Sequence, residues 1–429
     1  MRMIQCRIGL LAAVLACGSS GWAQGFSSGS TESDGDLIYT TPGTYSFDPA
    51  ALHLNAAGDN IFNFKTINIG PNVTLRLDSG NLRGKPVIWL ATGNVTIAGT
   101  LDLTGTNAPN LSSLGADWIA QRTPTSPGAG GFPGGVGARP GTNSYPGLGP
   151  GGGPPVTPTS TACTNARGNP GSYATAGGTG GGSQPGPTYG NIQLVPLLGG
   201  SGGSGGCVPP AVTATDASGG TGGAGGGAIR IVSSTSITIT GGIDAHGGAG
   251  GSGRSGGDSG AGGSGGAINV IAPTVAGTGQ MRTYGQGPGV ISGTGYVLIN
   301  ATTNTYTGFA SDGIFTARPL LAPPLPTPST QPSITVNTVN GVSVSQPPKG
   351  QFLTPDVTIN AAGPVTIAIT ATGIPVGTVV TFNVLSELGT DQNISCTPLA
   401  GTLASSTATC SASFPTSVSI LLGSASWGS

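Results

Sequence analysis

The sequence predicts an all-β chain: a parallel β-solenoid of the right-handed β-helix kind, interrupted by polyglycine-II-like inserts and followed by a β-sandwich. Three observations predict it. Short β-branched runs with near-alternating apolar residues recur between Gly, Pro and Asn turns, and no helical period competes with them. A segment of about 20 residues repeats along the N-terminal part. Glycine, at 81 of 429 residues, falls in phase.

Residues 1–23 read as an export signal. Arg2 and Arg7 flank the start, Ile8 to Ala16 form a short apolar core, and Gly21-Trp22-Ala23 offers small residues at a cleavage position before Gln24. A second reading takes Val14-Leu15-Ala16-Cys17 as a lipoprotein box that anchors the chain through Cys17. No other stretch approaches the roughly 20 consecutive apolar residues of a membrane-spanning helix. Removing the signal leaves Cys163, Cys207, Cys396 and Cys410, an even number in an exported chain, so two disulfides are expected, with free buried thiols as the alternative. Nearest-neighbour pairing is favoured, because Cys163 and Cys207 share one insert and Cys396 and Cys410 share the C-terminal domain.

The solenoid is expected over residues 24–316. Between Leu37 and Leu103, strand-like runs include Ile61, Phe62, Phe64, Ile67 and Ile69, then Val73, Leu75 and Leu77. The segment Val87 to Gly105 aligns without gaps to Ile229 to Gly247: Trp89 meets Ile231, Val95 meets Ile237, Gly99 meets Gly241, Leu101 meets Ile243 and Asp102 meets Asp244. A third copy, Ile268 to Gly285, fits with one deletion, and Tyr296 to Ile299 begins a fourth. Such repeats bury their inner side chains only by stacking on their neighbours.

Inserts at 106–227 and 248–267 separate the copies. From Gly247 to Ala267 the chain parses into seven triplets, with Gly at 12 of the 14 first and second positions and none at the third. The same spacing recurs at Gly199 to Cys207 and Gly219 to Gly227. A three-residue period matches polyproline-II geometry, with three residues per turn and no internal hydrogen bonds. Two glycines per turn let extended segments approach and pair their amides and carbonyls. The competing reading is a flexible Gly/Ser linker. Arg254 breaks the glycine slot near the middle of the short insert, as a solvated tip would.

Residues 317–332 are rich in proline and read as a stiff linker. Over 333–429 glycine becomes sparse and strands such as Ser333 to Val336, Val365 to Ile369 and Val379 to Val384 recur. That pattern suggests an immunoglobulin-like β-sandwich without the usual Cys, Trp, Cys spacing.

Phe62-Asn63-Phe64-Lys65-Thr66-Ile67-Asn68-Ile69 and Val87-Ile88-Trp89-Leu90-Ala91, with GGxGG inserts and a C-terminal sandwich, resemble a group of glycine-rich exported bacterial proteins. The resemblance covers most of the mature chain. It brings no catalytic residues.

Composition narrows the function. With 14 Lys and Arg, a net charge of −1 and 7% charged residues, no basic face exists to neutralise a nucleic-acid backbone. Asp102 and Asp244 occupy equivalent slots and Arg282 the third, while Thr104, His246 and Tyr284 form a neighbouring column. Parallel β-helices resembling pectate lyases bind and cleave polysaccharide on one face with carboxylates and Arg or Lys, so a catalytic or sugar-binding patch is one reading. The other is a polar ladder in which Arg282 compensates its neighbour's charge. Glu32, Asp34 and Asp36 surround a glycine but lack the remaining ligands of a calcium loop. His53 and His246 lack metal-spaced partners, so neither a metal nor a cofactor is expected. The sequence therefore points to a secreted or cell-surface structural or adhesive protein without catalytic activity, able to self-associate or to meet polysaccharide and other surface components. A carbohydrate-binding or polysaccharide-cleaving protein is the alternative, and an ice-binding surface a minor one.

Overall fold

The computed structural model describes residues 26–425, apart from 56–57, 116–117, 120, 160–161, 288–290, 312, 321–331, 347, 349–354, 362 and 387–391. The export signal, Gln24, the Cys17 anchor and most of the proline-rich linker lie outside the described residues. No described helix is long and apolar enough to cross a membrane.

In chain order, the N-terminal strands are β1 (Gly35–Tyr39), β2 (Gly43–Ser46), β3 (Ile61–Ile69), β4 (Val73–Arg76), β5 (Val87–Ala91), β6 (Val95–Ile97) and β7 (Thr100–Asp102). After the long insert come β8 (Ala228–Ser233), β9 (Ser236–Ile239), β10 (Gly242–Asp244), β11 (Ala267–Gly277), β12 (Gln280–Arg282), β13 (Tyr296–Tyr306), β14 (Phe309–Ser311) and β15 (Ile314–Arg318). They form two sheets in which every pairing is parallel. The second has the order β14-β12-β10-β7-β4-β2.

The first sheet corrects the expected β-solenoid. β3 pairs with both β5 and β6, and β11 pairs with both β8 and β9. With β5 on β8 and β6 on β9, the six strands β3, β5, β8, β11, β9 and β6 close into a parallel ring. The cause is that β3 and β11, 9 and 11 residues long, each run past two shorter strands. A closed six-stranded parallel arrangement beside a separate parallel sheet therefore replaces the β-helix.

Residues that align in the sequence repeat are register partners here. Trp89 faces Ile231, Ile231 faces Val270, and Leu101 faces Ile243, which faces Met281. Alternation along each strand sends these side chains to one face, where they join a single core with Phe47, Phe62 and Phe64. Trp89, Phe47 and Phe62 are fully buried. Ring centroids at 5.0 Å for Phe47 and Phe62 and 5.5 Å for Phe47 and Trp89 set them edge to face, the preferred aromatic geometry.

The glycine triplet segments 199–206, 219–227 and 247–266 are neither strand nor helix, yet their backbone is paired. In the buried stretch 222–227, successive N–H groups donate in rotation to three neighbours. Gly222 donates to Gly135 O, Gly223 to Ala261 O and Ala224 to Thr106 O, at 2.7, 2.8 and 3.3 Å. Gly225, Gly226 and Gly227 then repeat the cycle to Phe132, Ser264 and Leu103, at 2.9, 3.0 and 2.8 Å. A donor that returns to the same neighbour every third residue defines an extended screw with three residues per turn. None of the glycines from 219 to 227 has a positive φ. The period has a steric reason: a Cβ at Gly222 would lie 2.1 Å from Gly203 O and one at Gly223 2.0 Å from Gly248 O. The backbone is therefore fully engaged, as a flexible linker's would not be.

Arg254 is not a freely solvated tip. Ser255 and Gly256, with φ of 46° and 91°, reverse the chain, and Gly257 N–H donates to Arg254 O at 3.0 Å. The guanidinium turns back, with Nε 3.0 Å from Asp216 Oδ2 and Nη1 donating to Leu114 O at 2.6 Å. It sits 5.8 Å from the Trp118 ring centroid.

In the C-terminal part, β16 (Ser333–Val339), β17 (Val342–Ser343), β18 (Val365–Thr372), β19 (Val379–Ser386), β20 (Gln392–Pro398), β21 (Ala400–Gly401), β22 (Ser406–Ala412) and β23 (Ser419–Ala425) form two antiparallel sheets. Their orders are β17-β16-β18-β22-β21 and β20-β19-β23. Ile367 and Ile369 of one and Val380, Phe382 and Val384 of the other share a core. Cys396–Cys410 joins the sheets, and Cys163–Cys207 ties the glycine segment that ends at Cys207 to an earlier part of the same insert.

Candidate functional site

The second sheet carries the polar residues singled out in the sequence. Its strands are short, with the central residue inward: Leu75, Leu101, Ile243 and Met281 are fully buried. The residues on either side of each therefore face outward. In one outward row, Arg76, Asp102, Asp244 and Arg282 are consecutive register partners. Two arginines bracket two aspartates. Arg76 Nε lies 3.8 Å from Asp102 Oδ2 and 3.5 Å from Asp78 Oδ1, and Arg282 Nε lies 3.7 Å from Asp244 Oδ1.

The two aspartates have different surroundings. Asp102 Oδ1 accepts from Thr104 N–H at 3.0 Å and from Thr104 Oγ1 at 2.7 Å. The residue equivalent to Thr104 in the next repeat is His246. Its Nδ1 lies 3.0 Å from Gly247 O and 3.2 Å from Gln286 Nε2, and its ring stacks on Tyr284 at 4.9 Å. Asp244 Oδ1 is thus shielded from solvent without any hydrogen bond. Burial raises the Asp244 carboxyl above its ordinary range, Arg282 and His246 oppose that, and the Asp102 charge adds to it. Desolvation outweighing a long ion pair is the physical reading.

Beside this row lies a polar cleft of about 280 Å³, lined by Thr100, Thr240, Gly242, Asp244, Thr278, Gln280 and Arg282 among others. A larger cavity of about 370 Å³ opens in the C-terminal part, lined mostly by Val, Ile, Pro and Phe. It offers packing surface but no cluster of reactive groups, so the smaller cleft is the chemically better candidate.

The structure brings Asp102, Asp244 and Arg282 into one row and His246 and Tyr284 into the next. Arg76 completes the row, and its signal was present in the sequence: Thr74-Leu75-Arg76-Leu77 matches Thr100-Leu101-Asp102-Leu103. The acidic N-terminal segment is used structurally. Asp34 accepts from Asn55 N–H at 2.7 Å and Asn63 N–H at 2.6 Å, Asp36 accepts from Thr66, and Glu32 accepts from Thr92 Oγ1. These carboxylates pin the N-terminal segment to β3 and its surroundings. His53 lies in an exposed turn with φ of 56°. Cys163, Cys207 and Asp258 approach one another, but the two sulfurs are bonded together and supply no thiolate. No protein family, curated protein or solved structure matches the chain.

Proposed function

We propose that this is an exported structural or adhesive protein of the cell surface or extracellular matrix, without catalytic activity. The observation that carries this reading is the glycine bundle. Its central segment exchanges backbone hydrogen bonds with five neighbouring segments and leaves few side chains to do chemistry, so a large part of the chain serves as a stiff body. The two disulfides are compatible with an oxidising extracellular setting. In the charged row each aspartate stands beside its own arginine, which favours charge compensation over an acid and base pair.

The test has two arms. Protease treatment of intact cells should remove the protein, and purified chain incubated with pectic, cellulosic and bacterial polysaccharides should release no reducing ends. Polysaccharide cleavage at enzymatic rates, lost on Asp244→Asn, would replace this reading with the enzymatic one.

A further inference from the structure

The outward row Thr44, Thr74, Thr100, Gly242, Gln280 and Phe309 crosses all six strands of the second sheet, and only Gly242 in it lacks a side chain. The gap is the floor of the 280 Å³ cleft, small for a ligand site and suited to about one sugar-sized ring. Its walls carry the hydroxyls of Thr100, Thr240 and Thr278 and the amide of Gln280.

One row on, Asp244 Oδ1 is shielded and accepts no hydrogen bond. Arg282 Nε, at 3.7 Å, is beyond hydrogen-bond range, and Arg282 Nη2 instead donates to Gln280 Oε1. Asp244 Oδ1 is closed to the cleft, but the Asp244 side chain is 18% exposed and lines the cleft, so its other carboxylate oxygen is the one open to a ligand hydroxyl, and a hydrogen bond to a charged acceptor is among the strong ones. Charge narrows the class further. A metal cation would meet Arg282, while Asp78, Asp102 and Asp244 outnumber Arg76 and Arg282, which disfavours an anion.

The geometry points to a binding site for one ring of a neutral saccharide in the Gly242 cleft, its hydroxyls donating to Asp244 and bonding to Gln280 and the threonines. This deepens the adhesive reading and rests on it, by giving the adhesive surface a ligand class.

The experiment uses the purified protein on a panel of immobilised neutral hexose and N-acetylhexosamine oligosaccharides of α and β linkage, with oligogalacturonates as the anionic contrast. Wild type should bind a neutral member. Asp244→Asn and Gly242→Thr should each weaken that binding about tenfold or more, and Thr74→Ala, two strands away in the same row, should leave it unchanged. A Cβ at Gly242 meets nothing closer than 3.8 Å, so Gly242→Thr should keep the wild-type Tm; if it does not, Asp244→Asn decides alone. Failure of folded wild type to bind any neutral glycan overturns the inference. So does binding of uronates only, or neutral-glycan binding that Asp244→Asn leaves intact. Surface display and absence of cleavage are read separately, so a failure here is distinguishable from a failure of the adhesive reading.

Discussion

Asp102 and Asp244 are register neighbours on parallel strands, and the residue two places on sets their difference. Thr104 gives Asp102 two hydrogen bonds, whereas His246 turns its ring toward Tyr284 and Gln286. The consequence is a pH dependence with a defined sign. Burial raises the folded-state pKa of Asp244 above its ordinary 3.8, and burial shifts Asp258 the same way. The folded state thus holds these protons more tightly than the unfolded chain. Their stabilising contribution is complete below the ordinary value and is lost as pH rises through the raised folded value. Asp244→Asn should therefore raise Tm at pH 7 and flatten the Tm profile as pH rises above the ordinary carboxyl value of 3.8. Thermal unfolding of both proteins from acid to neutral pH checks it, and a substitution that lowers Tm equally in acid and at pH 7 contradicts it. The alignment of Asp102, Asp244 and Arg282 was legible because the repeat aligns their positions. Which carboxylate would lack a donor was not, because that depends on how a ring two residues away turns.

At the scale of the element, glycine acts in two ways, both by close approach. At the corner before β10, a Cβ on Gly241 would lie 1.9 Å from Gly99 O, and one on Gly279 before β12 would lie 2.2 Å from Gly241 O. Successive corners thus stack backbone on backbone, which explains the fixed glycine of the repeat. In the bundle, first and second triplet positions face neighbouring carbonyls and third positions do not have to be glycine. Gly250→Ala places its Cβ 2.2 Å from Gly260 O and should cost roughly 1–3 kcal/mol by overpacking. Ala249→Ser, one residue away on a half-buried third position, should stay within about 0.5 kcal/mol. Denaturant unfolding of the two variants distinguishes phase from mere composition. Amide hydrogen exchange offers a second check: the N–H groups of 222–227, all hydrogen-bonded, should be protected like those of a core strand, whereas a linker would exchange within seconds. The triplet period was readable in the sequence. The identity of the neighbours was not, since any two such segments are sterically interchangeable and only the route of the chain assigns them.

For the whole molecule, the disulfides hold regions that the main core does not. The cluster containing Trp89, Ile231 and Val270 includes no cysteine, while Cys396 and Cys410 lie in the core shared by the two antiparallel sheets. They close a loop with a separation of 14 residues, and Cys163 and Cys207 one of 44. On the chain-entropy account these loops are worth about 3 and 4 kcal/mol. Replacing Cys396 and Cys410 by Ala should lower the unfolding transition of the C-terminal part by about 3 kcal/mol and leave hydrogen exchange in β5, β8 and β11 unchanged. Loss of protection in those strands would show that the two parts unfold as one unit.

The sequence by itself determined the strands, their shared register, the cysteine pairs available and the phase of the glycines, because each follows from local periodicity or from the sterics of one residue. Closure of the first sheet was decided only in three dimensions. Whether β3 and β11 stop at one partner or run on to a second depends on how far a strand continues through a bend, and hydrogen bonds to distant strands set that. The same holds for the cleft. Gly242 was legible as the repeat partner of Thr100, but an empty position becomes a binding surface only when Thr100, Gln280 and Asp244 are brought around it.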